Sequence, residues 1–132
     1  MFEQFDYSPV QIKKYYQAAT RDLQLVILAG APEIVFYLAY NIIIKTAMAV
    51  CAKNNLRVKS RAGHHIELIR KLAEYLADPE IEDVASKMRS KRNRDLYDGG
   101  VITSEKEADF YIHFCQKLIK STDSYLFPDK LL

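Results

Sequence analysis

The sequence predicts an all-α fold, an up-and-down bundle of about five helices built as one domain. Three observations predict it. Ala, Leu, Ile, Lys and Glu are plentiful, whereas Gly and Pro number four each, a composition that favours helix over turn-rich or disordered chain. Apolar residues recur at three-and-four spacing in successive segments, and none sustains the strict alternation of a strand, so no sheet is expected. Cap residues, first-turn prolines and glycine stops stand where helices have to begin and end. The chain has 132 residues, of which 49% are hydrophobic. A single domain of that size builds a real core, here expected over about residues 8–125.

The first helix opens at Ser8-Pro9-Val10-Gln11. Ser8 is placed to cap, Pro9 suits the first helical position, and Gln11 completes a capping box. Its apolar stripe is Ile12, Tyr15, Tyr16, Ala19, Leu23, Val26 and Ile27. Gly30-Ala31-Pro32-Glu33 ends it and starts the second helix, about Glu33 to Asn54. That helix is apolar on nearly every side through Ile44, so it needs cover on more than one face, some of it from a second subunit. A short basic loop leads to the third helix, about Gly63 to Ala77, with Ile66, Ile69, Leu72, Ala73 and Leu76 in register. Asp78-Pro79-Glu80 supplies a cap, a first-turn proline and a first-turn acid for the fourth, whose stripe is Ile81, Val84, Ala85 and Met88 and whose stop is Asp98-Gly99-Gly100. Ser104-Glu105-Lys106-Glu107 is a second capping box. The fifth helix follows with Ala108, Tyr111, Ile112, Cys115, Leu118 and Ile119, and a loosely held tail from Phe127 onward.

Composition narrows the function. A net charge of +2 is no polycation, so any nucleic-acid role has to come from local charge. Cys51 and Cys115 sit inside apolar patterns with no second thiol or His at zinc spacing, and read as buried free thiols of a reducing compartment. The amino-terminal residues carry Glu3 and Asp6 where a signal peptide carries Lys or Arg. The uncharged stretch Ile34 to Ile44, closed by Glu33 and Lys45, falls short of the ~20 residues of a membrane span. The expectation is a cytoplasmic protein without a membrane segment. No glycine-rich phosphate loop, serine elbow or carboxylate pair at metal spacing is present, so no metal and no cofactor is expected. His64 and His65 are adjacent and point about 100° apart on a helix, which prevents both from chelating one metal. His113 falls on the flank of the fifth helix, and the nine tyrosines read as packing residues with wet tips.

One segment stands apart. Five of the eight residues from Lys87 to Arg94 are basic and none is acidic. On charge alone such a run is a solvated helix face. Periodicity adds to this, because from Ile81, Ala85 and Met88 the next inward position of the fourth helix is Arg92, followed by Leu96. A guanidinium on an apolar stripe is costly unless paired. Asn93 and Tyr97, four apart, bring an amide and a phenol together on a neighbouring face.

Arg92-Asn93, three further residues and Tyr97 resemble the Arg–His motif of HEPN domains in its RNxxxH form. Ile34 through Ala52 resembles the long aromatic- and alanine-rich second helix of those domains. The loop Leu56 to His64 resembles the basic turn into their third helix, and the likeness spans about residues 8–125. What it implies is a HEPN-like, dimeric bundle in which the motif helices of two subunits form one cleft. It implies a metal-independent endoribonuclease of the toxin or defence type, in which the ribose 2′-hydroxyl attacks the phosphodiester. Arg92 then binds the phosphate, Asn93 orients it and positions the strand, and position 97 serves in proton transfer. Arg89, Lys91 and Arg94 are the accompanying RNA- or phosphate-binding residues. Tyr97 stands where the family has His, and a phenol with a pKa of about 10 is a poor base at neutral pH. A second reading therefore stays open: a non-catalytic HEPN module that dimerises and binds a nucleotide, an RNA or a nucleotidyltransferase partner through the same cleft. A third is a bundle whose basic patch serves only solubility.

Overall fold

The computed structural model describes residues 2–59, 63–99 and 103–129, and of residues 95–98 the backbone alone. Along the described residues run β1 (Phe2–Gln4), α1 (Pro9–Leu28), α2 (Pro32–Lys53), β2 (Leu56–Val58), α3 (His64–Tyr75), α4 (Pro79–Asp98) and α5 (Glu105–Leu126). The helices begin where local chemistry places them. The Ser8 hydroxyl accepts the Gln11 amide at 3.2 Å and the Gln11 side chain accepts the Ser8 amide at 3.2 Å. Ser104 and Glu107 repeat the arrangement at α5, and the Asp78 carboxylate accepts the Glu80 amide at the start of α4. Each reciprocal pair satisfies two amides that the helix leaves open. Gly99, at φ 79°, closes α4 in the left-handed conformation that glycine adopts without penalty.

The five helices form a bundle with α2 at its centre, against which α1, α3, α4 and α5 all pack. From Ile42 to Ala52 most of α2 is buried, including Ile42, Ile43, Ala47, Ala49 and Val50. Its one interior hydroxyl in that run, on Thr46, donates back to the Ile42 carbonyl at 2.6 Å. This helix is the one segment among the described residues long and apolar enough to cross a membrane, and 61% of its most apolar stretch is buried within the fold. Burial against its own neighbours accounts for its composition, which is compatible with a soluble protein.

The absence of any sheet is corrected. β1 pairs antiparallel with β2, Phe2 opposite Val58 and Gln4 opposite Leu56. Arg57 bridges to Glu3 at 2.6 Å across the pair, and the Phe5 amide donates to the Asn55 carbonyl at 2.9 Å. Three-residue strands are too short to register as alternation, and their partners lie far apart in sequence. Two stripes are corrected as well. In α1 Ile27 is exposed, while Asp22 is buried and paired with Lys45 at 2.6 Å. In α3 the inward residues are Leu68, Ile69, Leu72 and Ala73, and Ile66 faces out. Both cysteines are free and buried. Burial pushes each thiol up to about 12, which keeps them protonated. Of the tail, Phe127 packs its ring edge-on to Tyr16, 5.5 Å between centroids; residues 130–132 lie outside the described residues.

Candidate functional site

The basic run of α4 divides between two faces, because successive helical residues turn by about 100°. Lys91 looks toward α5, pairing with Glu107 at 3.3 Å and lying over the Phe36 ring at 5.5 Å. Lys87 lines a shallow depression with Glu107, Phe110 and Tyr111 on the same side. Arg94 falls on this half of the helix and is exposed. Arg89, half-buried, and Arg92 and Asn93, both exposed, share the opposite face.

Arg92 was expected on the inward stripe, and the structure corrects that. Met88, one turn earlier, is buried, whereas Arg92 is exposed. Arg92 therefore avoids the desolvation its position implied, and its guanidinium carbon lies 5.4 Å from the centre of the Tyr40 ring. That ring, in α2, is 1% exposed, and a cation over a phenol face is held there electrostatically. Tyr97 lies on α4 by its backbone. Its side chain, and with it the expected meeting with Asn93, lies outside the described residues, as do the side chain of Leu96 and the loop residues 60–62.

The Tyr40 hydroxyl is hydrogen-bonded to Nδ1 of His65 in α3 at 3.0 Å. The two rings are 5.7 Å apart, and the His64 ring meets that of His65 edge-on at 4.5 Å. Burial raises the Tyr40 phenol while the charges of Arg92 and Arg89 pull it down, which keeps it neutral and uncharged beneath the guanidinium. His65 is moved from 6.5 to about 4, first by burial, then by His64, Arg92 and Arg89. At neutral pH it is an uncharged imidazole. Beyond it opens a cleft of about 280 Å³ lined by His64, His65, Tyr7, Tyr15 and Arg57 over a floor that includes Met48 and Leu68.

The structure thus brings Arg89 and Arg92 together with two residues that sequence reasoning left out of the site, Tyr40 and His65, and separates them from Lys91 and Arg94. No local signal marks this grouping, since Tyr40, His65 and Arg92 sit on three helices and meet through tertiary packing alone. His113, by contrast, is exposed on the flank of α5, Nδ1 2.8 Å from the Asp109 carbonyl oxygen. Among the described residues no cluster of three His, Cys, Asp or Glu side chains stands in reach of one metal ion. Chemically, the grouping offers an exposed guanidinium for an oxyanion with a neutral imidazole beside it.

No protein-family model, curated protein or solved structure matches this chain.

Proposed function

We propose that the chain is a HEPN-type protein that cleaves RNA without a metal ion, in a cleft composed where two copies meet along their α4 helices. The observation that carries this reading is Arg92, an exposed guanidinium seated on Tyr40 with Arg89 on the same face. A planar, permanently charged fork suits a phosphodiester and stabilises the extra negative charge as the 2′-hydroxyl attacks it. Asn93, beside it and exposed, orients the strand, Tyr97 donates a hydrogen bond to phosphate, and Arg89, on the same face, holds a flanking phosphate, while Lys91 and Arg94 face the other way.

The test is a panel of tRNA and single-stranded RNA incubated with purified protein in EDTA, wild type against Arg92→Ala. Cleavage by wild type and none by the variant is the expected result. Cleavage that EDTA abolishes, or that the variant retains, sinks the reading. Light scattering should return twice the 15.3 kDa of one chain.

One residue favours a second reading. With Tyr97 in the third motif position, α4 contributes a phenol in place of an imidazole, which suits a non-catalytic module that holds a nucleotide, an RNA or a nucleotidyltransferase partner. Stoichiometric, Arg92-dependent binding with no turnover decides for it.

A further inference from the structure

We infer that His65, steadied by Tyr40, is the group that takes the ribose 2′-proton in this reaction, and that the cleft it lines seats the nucleoside carrying that hydroxyl. The inference rests on the ribonuclease reading above and supplies what α4 lacks at Tyr97.

Four observations converge on it. His65 is fixed by its hydrogen bond to Tyr40 at 3.0 Å. When that bond runs from Nδ1–H to the phenol oxygen, Nε2 keeps its lone pair and serves as the base. The Tyr40 ring that holds His65 also carries Arg92, 5.4 Å from its centre, so imidazole and phosphate-binding guanidinium share one rigid support in the core. The cleft of about 280 Å³ on which His65 opens lies near the lower end of small-ligand cavities, about 300 Å³. That is room for one base and its sugar, not for a folded strand. Its walls are the rings of Tyr7 and Tyr15, edge to face at 5.9 Å, which offer a base the aromatic faces that single-stranded RNA stacks on.

The step balances. Nε2 of His65 accepts the 2′-hydroxyl proton as O2′ bonds to phosphorus, and Arg92 holds the non-bridging oxygens. The P–O5′ bond breaks, the leaving 5′-oxygen takes a proton from solvent, and the imidazolium returns its own to solvent. The products are a 2′,3′-cyclic phosphate and a 5′-hydroxyl, with no oxidant, metal or net water consumed.

The experiment measures cleavage and binding of one single-stranded RNA in EDTA for wild type, His65→Ala, Arg92→Ala and Tyr40→Phe, with and without added imidazole. His65→Ala should bind RNA within a few-fold of wild type and cleave it roughly 10²- to 10⁴-fold more slowly, and imidazole should restore part of the rate. Imidazole should do nothing for Arg92→Ala. Full cleavage by His65→Ala, beside loss in Arg92→Ala, overturns the His65 assignment and leaves the ribonuclease reading standing. No cleavage by wild type overturns both. Wild type itself gives a check that needs no variant. His65 faces Tyr40 from α2, His64 on its own helix, Arg89 and Arg92 from α4, and Tyr7, Tyr15 and Arg57 across the cleft. With those neighbours the acid limb of its pH–rate profile should fall near 4, and a limb at an unperturbed 6.5 speaks against this residue.

Discussion

The Tyr40 hydroxyl and Nδ1 of His65 stand 3.0 Å apart, which ties the central helix of the bundle to the first turn of α3 beneath a surface arginine. Burial of that imidazole, with His64, Arg92 and Arg89 beside it, makes stability depend on pH in a defined direction. The folded state holds His65 near 4, against 6.5 for an unperturbed imidazole. Between those values the unfolded chain binds a proton that the folded chain does not. Stability from this group is therefore complete above pH 6.5 and is lost progressively as pH falls toward 4. Thermal melts across that range, on wild type and His65→Gln, check it: wild type should lose more of its melting temperature than the variant. Equal losses would show that His65 carries no such linkage.

Arg92 is expected to matter for ligand and hardly at all for folding. Its side chain is exposed and rests over the Tyr40 ring, an interaction worth about 0.5–1 kcal/mol at such a site. Arg92→Ala should thus melt close to wild type. If Arg92 contacts phosphate, the variant should also lower the dependence of RNA affinity on salt by about one unit of log–log slope. Titrations at several salt concentrations measure this. An unchanged slope removes Arg92 from the phosphate contacts and leaves the α4 charge with a role in solubility alone.

Ala77 holds a conformation its side chain disfavours. Its φ is 53°, its amide donates to the Glu74 carbonyl at 3.2 Å, and the next amide, of Asp78, reaches back to Ala73 at 3.0 Å. This is the Schellman closure of α3, at the position where glycine normally stands. A left-handed alanine costs about 1–2 kcal/mol, and glycine gives back about 0.5–1 kcal/mol through its looser unfolded chain. Ala77→Gly should therefore stabilise the protein by about 0.5–1 kcal/mol in urea unfolding, and a destabilised variant would contradict the strain.

How far the sequence reveals the structure depends on whether the information is local. Ser8–Gln11, Asp78 with Pro79, and Ser104–Glu107 marked three helix starts, and each cap forms as its residues dictate, because capping is decided within four residues. The stop of α3 had no such mark, since Ala77 occupies a glycine's place. The β1–β2 pair was invisible for the opposite reason: its strands are brief, and what defines them is each other. The site follows the same division. Arg89 and Arg92 were legible as a charge cluster, and their common face followed from helical geometry. That Arg92 is exposed, and that Tyr40 and His65 lie under it, depends on how α4 packs against α2 and α3, which no periodicity encodes.

Asp22 is a buried charge whose neighbour only the fold supplies. It is 7% exposed, on the inner face of α1, and its carboxylate meets Lys45 of α2 at 2.6 Å. The lysine is more open, its side chain 38% exposed, so the pair is intermediate between a surface bridge and a fully buried one. Removing the amine leaves a desolvated carboxylate without its partner, at a cost on the order of 1–3 kcal/mol. Lys45→Met should lose about that much in urea unfolding. Converting both residues, as Asp22→Leu with Lys45→Met, should recover a large part of it, because an apolar pair has no charge to desolvate. If the double variant is as unstable as the sum of the two single ones, the residues do not act on each other and the pairing of α1 with α2 owes nothing to this bridge.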